Sequence, residues 1–494
     1  MEKEKNLLIG INARYSHTNP ALAILALACH RKGVSLETLE FSVNKPFMEM
    51  LRDIYLVGAK RLIFSCYIWN IELVIRLSQS LKAIDPSIII IWGGSEMYGD
   101  SGHWLNDEPC VDHILTGEGE VALPALLKTL ENGHDLADVP NLFWRKDGKI
   151  IANSIAPFVD LSEEPFIYEE ADFKDFEHKI VYYESSRGCP FNCHFCLSAE
   201  ESPRYRRVEL VKADILKMAA GGIKQIKFID RTFNANVQRA MEIVGFLVSM
   251  AKDYPQMNFH LEIEPALLTK EFVDLLAVVP DGYIQLEAGV QSLNPESLKA
   301  VGRHDLWQKN KEVLADIIAK GNIHVHLDLI AGLPYEDMAS FTKGFNELYS
   351  LRPHYLQLGF LKVLPGTILA KEAEKWGFNV TKEPPYQVLS TPWLSFGDII
   401  ALMWAELAIE QYYNNGFWQN TLEAAIEKWE NGALNFYIGL GKAISSHGKA
   451  NLETKAKLLV DFLVLELKEP KEYWHHLLVK DYEASGQKVP GVFR

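Results

Sequence analysis

Short apolar runs alternate with longer amphipathic stretches through the first 131 residues. The runs Leu7–Asn12, Leu36–Phe41, Arg61–Cys66, Ile88–Trp92 and His113–Thr116 predict strands. The stretches Ala21–Lys32, Glu72–Ile84 and Val121–Leu130 carry apolar residues at helical spacing and predict helices. Strands separated by helices imply a parallel, doubly wound, Rossmann-like sheet. Residues 136–180 then read as a connector. Within it, Asn141 to Ile151 predicts a hairpin turning at Asp147-Gly148. The acidic, aromatic stretch Leu161–Lys179 reads as a solvated face.

Alternation resumes at Val181. Strands are expected at Val181–Ser186, Lys224–Asp230, Asn258–Glu264, Tyr283–Val290, Ile323–Ile330 and Tyr355–Leu361. Helices fall between them at Ala235–Lys252, Thr269–Val278, Leu306–Lys320 and Glu336–Leu351. Six such repeats suit a partial (β/α)6 barrel, whose chemistry gathers at the carboxyl ends of its strands. From about residue 385, Trp, Tyr and Leu recur at helical spacing in Ile399–Tyr413, Leu422–Trp429 and Asn451–Leu467. This predicts a helical C-terminal domain with aromatics in its core. Ile438-Gly-Leu-Gly441-Lys reads as a glycine turn. The expected architecture is α/β, with domains at 1–135, 181–384 and 385–494 and the connector at 136–180.

Polar residues collect where these folds place their sites. In the first domain Asn12 and His17, Ser65 and Tyr67, Gly93-Gly94-Ser95, and Gly117-Glu118-Gly-Glu120 follow successive strands. Ligands of open parallel sheets lie beyond those ends. No G-x-G-x-x-G follows the first strand, so the floor is wide and shallow and not a phosphate pocket. In the barrel, His260, Glu262 and Glu264 share one face of a strand, as do Gln285, Glu287 and Gly289. Inward carboxylates are costly unless paired or wet. They imply either a polar ligand inside or ion pairs with Arg231 or nearby lysines.

Composition narrows the class. Over 494 residues the net charge is −15, which disfavours a general nucleic-acid-binding surface. Three of six cysteines, Cys29, Cys66 and Cys110, are scattered and read as packed thiols. No disulfide framework is apparent, which predicts a reducing, cytoplasmic setting. The charged start Met1-Glu-Lys-Glu-Lys leads to no signal-peptide pattern, and no apolar run is long enough to span a bilayer.

The other three cysteines lie in Arg187-Gly-Cys189-Pro-Phe-Asn-Cys193-His-Phe-Cys196. Three thiolates on one loop hold three irons of a [4Fe-4S] cube and leave the fourth open. A structural zinc site would require a fourth ligand, usually within a second pair, and no second pair exists. With Phe195 before the third cysteine, the run resembles the signature of the radical S-adenosylmethionine (SAM) superfamily. The resemblance implies that SAM chelates the open iron and is cleaved reductively to methionine and a 5′-deoxyadenosyl radical. It assigns Asp230, Arg231, Asn234 and Glu262 to SAM's amino, carboxylate or ribose groups, and Gln291 and Ser292 to a segment near SAM and the substrate. The family's usual Gly-Gly-Glu after the second strand is replaced by Phe228-Ile-Asp-Arg-Thr-Phe-Asn234.

Trp92-Gly-Gly-Ser-Glu-Met97 and Val111-Asp-His-Ile-Leu-Thr-Gly-Glu-Gly-Glu120 are similar to the cobalamin-binding domain that precedes many radical SAM cores. That likeness implies a corrinoid over Asn12, His17, Ser65, Tyr67, Gly93, Gly94, Ser95, Gly117, Glu118 and Glu120. The Asp-x-His-x-x-Gly string that supplies a histidine to cobalt in other cobalamin proteins is absent from this domain, and Asp112-His113 has the wrong spacing. The cobalt is therefore expected to lack a protein histidine, with His17 the alternative. The whole pattern resembles cobalamin-dependent radical SAM proteins with a helical C-terminal extension. It implies methylation of an unactivated carbon in a small-molecule or peptide substrate, fed by an electron donor such as flavodoxin or ferredoxin. Radical rearrangement without methyl transfer, and a non-catalytic corrinoid or iron-sulfur carrier, stay open as alternatives.

Overall fold

The computed structural model describes residues 4–99, 101–168, 172–176, 178–199, 201–448 and 450–493. Residues 169–171 and 177 of the acidic stretch expected over 161–179 lie outside the described residues. Five parallel strands open the chain: β1 (Asn6–Asn12), β2 (Glu37–Ser42), β3 (Arg61–Ser65), β4 (Ile89–Gly93) and β5 (His113–Leu115). They run in the order β2-β1-β3-β4-β5. Leu7, Leu8, Ile9 and Ile11 of β1 are all buried. Alternate residues feed separate cores on the two faces, which is why this strand reads as one continuous apolar run.

The hairpin does more than connect. Its strands β6 (Leu142–Lys146) and β7 (Lys149–Ala152) add antiparallel to β5, with Trp144 opposite His113 and Phe143 opposite Ile114. Without them β5 would be an open edge of unpaired backbone groups.

The second sheet is wholly parallel and sequential: β8 (Val181–Tyr183), β9 (Gln225–Phe228), β10 (Asn258–Ile263), β11 (Ile284–Gln291), β12 (His324–Ala331) and β13 (Tyr355–Phe360). One face carries Ile226, Phe259, Leu261, Leu286, Leu327 and Leu356, packed in one core with helix residues such as Ile243, Leu247 and Phe345. Burying each large apolar side chain contributes roughly 1.5–3 kcal/mol. That outer wall can therefore hold the barrel while the inner face stays polar. In register across the inner face lie Lys227, His260, Gln285 and His324, and beyond them Glu262, Glu287, His326 and Tyr355.

The C-terminal region is helical, with helices Phe396–Ala408, Gln419–Glu427, Gly432–Ile444, Leu452–Leu467 and Lys471–Ala484, and its Trp418, Trp474, Tyr412, Tyr437 and Tyr482 are buried. The glycine turn expected at Ile438–Lys442 is a helix instead. A Cβ on Gly441 would sit 1.8 Å from the carbonyl oxygen of Trp404, so this glycine lets two helix backbones touch. Close packing there outweighs the roughly 1 kcal/mol that a helical glycine costs. Among the described residues no helix is long and apolar enough to cross a membrane.

Candidate functional site

The cysteine loop leaves the end of β8 and is fixed at its root. Asp230 is fully buried; it accepts from the Ser185 amide at 2.7 Å, the Ser185 hydroxyl at 2.6 Å and the Ser186 hydroxyl at 2.7 Å. Its carboxylate thus anchors the root of the loop. Asn234, also fully buried, exchanges two 2.9 Å hydrogen bonds with the backbone of Glu264 and joins the loop after β9 to the end of β10. Gly188 has φ +89°, and a Cβ there would lie 2.7 Å from the carbonyl oxygens of Glu201 and Ser202. The Cys189 amide donates to Glu201 across this closure at 2.8 Å.

The Cys189 and Cys196 thiols lie near enough to act on Cys193, and each of the three has a polar neighbour. Cys189 Sγ lies 3.4 Å from Thr232 Oγ1, Cys193 Sγ accepts from Arg303 Nη1 at 3.4 Å, and Cys196 Sγ accepts from the Ser198 amide at 3.4 Å. Burial pushes the Cys193 thiol up, and Arg303 pulls against that shift. Arg303 also donates to the Gly289 carbonyl at 2.9 Å, tying the loop to β11. Its position 110 residues from Cys193 left no spacing signal in the sequence. Phe195 packs against Val301, Leu333, Leu361 and Leu369.

Inside the barrel, of the Arg231 or nearby lysines expected to pair with the carboxylates, it is Lys227 that does so; Arg231 is exposed. Lys227 Nζ lies 2.8 Å from Glu287 Oε2 and 3.5 Å from Glu262 Oε1. His260 Nε2 lies 2.6 Å from Glu287 Oε2, and His326 Nε2 lies 2.8 Å from Asp328 Oδ1. Burial pushes Glu287 up, but His260, Lys227 and His326 outweigh it and hold the carboxyl well below the usual range. Burial raises Glu262, with the Glu287 charge adding to the effect.

Gln291 ends β11 with φ +68°, and its amide folds over Gly289, where a Cβ would lie 2.1 Å from its Nε2. Ser292 donates to Glu336 at 2.5 Å. Glu336 is 1% exposed, and burial pushes its carboxyl up to about 7. A raised acid is neutral and free of penalty below its unfolded value near 4.5 and loses stability as pH climbs towards 7. Glu336→Gln is therefore expected to erase a decline of roughly 2–3 kcal/mol over that window. The check is denaturant unfolding of both proteins across pH. A difference between them that does not vary with pH would refute it.

In the first domain the predicted residues line one sheet edge. Asn12, Ser65 and Gly93 end β1, β3 and β4. Gly94 has φ +105°, and a Cβ there would meet the Cys66 backbone at 2.6 Å; Ser95 beside it is exposed. Tyr67 stacks on the exposed Trp69 with ring centroids 4.4 Å apart. Asn70, with no signal in the sequence, donates at 3.0 Å to both Ile11 and Ser65 and ties the ends of β1 and β3 together.

Other members of the set serve the contact with the barrel. His17 Nδ1 pairs with the Tyr182 hydroxyl at 2.8 Å, and its backbone bridges to Ile180. Burial, with Arg14 and Lys227 nearby, holds His17 below the ordinary imidazole value. Beyond the exposed Gly117, Glu118 lies 2.9 Å from Arg187 and 2.5 Å from Arg204, and Glu120 lies 2.8 Å from Arg187. These carboxylates clamp the loop after β5 to the strand that launches the cysteines.

A family model described as B12 binding domain matches residues 6–127, and one described as Radical SAM superfamily matches 183–346. The chain belongs to the cobalamin-dependent radical SAM family. In this family member, residues 374–490 match a model described as Protein of unknown function (DUF4080). The chain is 26% identical to the cobalamin-dependent radical SAM methyltransferase TokK of Streptomyces tokunonensis, over 69% of this chain and 52% of TokK. It is 25% identical to the uncharacterized methyltransferase PH0819 of Pyrococcus horikoshii, over 59% of this chain and 64% of that protein. It thus spans less than two thirds of either relative. Its fold matches the radical SAM methyltransferase TsrM from Kitasatospora setae, solved with cobalamin and a [4Fe-4S] cluster. The TM-score is 0.66 at 15% identity, covering 98% of this chain and 100% of TsrM.

Proposed function

We propose that this family member is an enzyme that methylates an unactivated carbon of a small-molecule or peptide substrate. The observation that carries this reading is the clamp of Glu118 and Glu120 on Arg187, which sets the small-residue sheet edge beside the cysteine loop. The methyltransferase names of TokK and PH0819 support the same reaction class.

The donor sets fit the groups the reading requires. Cys189, Cys193 and Cys196 would hold the [4Fe-4S] cluster, with Arg303 offsetting its negative charge. The inner face around Glu262, with Arg231 at the rim and Phe195, Gln291 and Ser292 near the loop, would hold SAM. Asn12, Ser65, Tyr67, Gly93, Gly94, Ser95 and Gly117 would form the floor for cobalamin. Together, when bound, these groups supply a reducing electron, a hydrogen-abstracting radical and a transferable methyl group. The chain's own residues bind, orient and exclude water. The apolar packing of Phe195 with Leu333 and Leu361 shields the cysteine loop. His17, held on Tyr182, is committed to the domain contact, in line with a cobalt that takes no protein histidine. A flavodoxin or ferredoxin in a reducing cytoplasm would provide the electron.

The test is anaerobic turnover of the reconstituted protein with SAM carrying a deuterated methyl group and a metabolite extract. The expected result is 5′-deoxyadenosine together with a product that gains the labelled methyl. Deoxyadenosine without label transfer would replace methylation with rearrangement. No SAM turnover at all would leave a cofactor carrier.

A further inference from the structure

We propose that His260, Glu287 and His326 form a binding site for one divalent first-row transition ion, Zn(II) or a close relative, inside the barrel. The three residues come from the adjacent strands β10, β11 and β12, and Glu287 and His326 are direct register partners. Their ligand atoms all lie within 4.8 Å of one another, the one such triad of His, Cys, Asp or Glu among the described residues. Glu287 Oε2 stands 2.6 Å from His260 Nε2 and 3.9 Å from His326 Nδ1. Donors around a tetrahedral zinc stand about 3.3 Å apart. Two imidazoles and one carboxylate suit zinc, iron(II) or cobalt(II) and disfavour magnesium or calcium.

Two further observations point the same way. First, the cluster is under-satisfied as a purely protein network. His260 Nε2, His326 Nε2 and Asp328 Oδ1 are buried, and none has an aligned hydrogen bond despite the short contacts. A cation between His260, Glu287 and His326 would give His260 Nε2 a partner and would bind His326 through Nδ1. The 2.8 Å approach of Asp328 to the far nitrogen of His326 is then the carboxylate that orients a metal-bound histidine. Second, the charges do not balance. Three carboxyl groups, Glu262, Glu287 and Asp328, share the ammonium of Lys227 and the more distant guanidinium of Arg231. A divalent ion would offset the remaining acidity. Lys227 already touches Glu262 and keeps that partner when Glu287 turns to the metal.

Three protein ligands leave coordination positions free on the polar side of the barrel. The ion would there hold an oxygen donor of the substrate, such as a carboxylate or hydroxyl. This use rests on the proposed methyl-transfer reading. The site itself does not, because metal content is measured without turnover and failure of one leaves the other standing.

The experiment loads the full-length protein with its cluster and cobalamin, equilibrates it anaerobically with Zn(II), removes free metal and counts zinc and iron. The expected result is about one zinc per chain beside about four irons. His260→Ala, Glu287→Gln and His326→Ala should lose the zinc and keep the iron, and Asp328→Asn should weaken zinc binding about 10–100-fold. His324→Ala, one register position below the site, should keep it. Absence of zinc in the wild type, zinc unchanged in the triad variants, or equal loss in His324→Ala would overturn the site. Zinc-edge X-ray absorption on the wild type needs no variant. Two imidazoles without sulfur are expected there, and sulfur ligation would overturn the assignment.

Discussion

Cys193→Ala is expected to strip the protein of iron and to abolish the proposed cleavage of SAM. Cys193 is the buried member of the trio and the one whose sulfur meets Arg303. Without it, two thiols remain for a cube that needs three. Iron should fall from about four per chain to background. The rate of 5′-deoxyadenosine formation should fall by roughly a thousandfold or more, equivalent to about 4 kcal/mol in the barrier. Cys29→Ala is the matched control. That thiol is fully buried, and burial pushes it up to about 12, so it stays a neutral packing group. Its loss should cost some stability and no iron. Iron analysis and deoxyadenosine assays on both variants decide the matter. A Cys193→Ala protein that still makes deoxyadenosine would remove the cluster from the argument.

Arg187→Ala is expected to loosen the contact between the first domain and the barrel. The guanidinium lies 2.9 Å from Glu118 and 2.8 Å from both Glu120 and Glu184, and its side chain is 20% exposed. Removing it leaves Glu120 and Glu184 without that partner in a largely dry setting, at a cost of about 3 kcal/mol. Arg187→Lys should recover only part of this, because an ammonium cannot fork between several carboxylates. The pH dependence has a definite sign. Burial pushes Glu118 up, but Arg187, the Val159 amide and Arg204 outweigh it and hold the carboxyl below its ordinary value. Its contribution is complete above the unfolded value near 4.5 and is lost as pH falls through the lower folded value. The variant should therefore lose less stability than the wild type on acidification. Thermal unfolding at several pH values checks both statements, and an unfolding transition unmoved by Arg187→Ala would dismiss the clamp.

Much of the fold was legible because parallel strands leave strong marks. Leu7 to Ile11 reads as one apolar run since β1 is covered on both faces, and Ile284 to Gln291 alternates since one face of β11 is wet. Long-range pairing left no such mark. Nothing local says that the 142–152 hairpin closes the edge of the first sheet, or that Gly441 marks a helix crossing and not a turn. The cysteine spacing was legible because a cluster needs its ligands close in sequence. The polar site residues were harder. Asp230 and Asn234 sit at a strand end, where ligands also bind, but their polar atoms are taken by Ser185, Ser186 and Glu264. Glu118 and Glu120 sit on the expected cobalamin edge, yet their partners lie across the domain contact, 67 residues or more away. A short motif carries identity; the partner of a charge is set by topology.

The greasy outer wall and the wet lumen of the barrel have an evolutionary consequence. Ile226, Leu261, Leu286 and Leu327 anchor the strands from behind, so lumenal positions outside the paired charges carry little of the packing. Substitutions at Gln285, His324 or Gln357 can then be sampled without unfolding the protein. Such a scaffold lets descendants exchange one substrate for another by retooling a few lumenal positions.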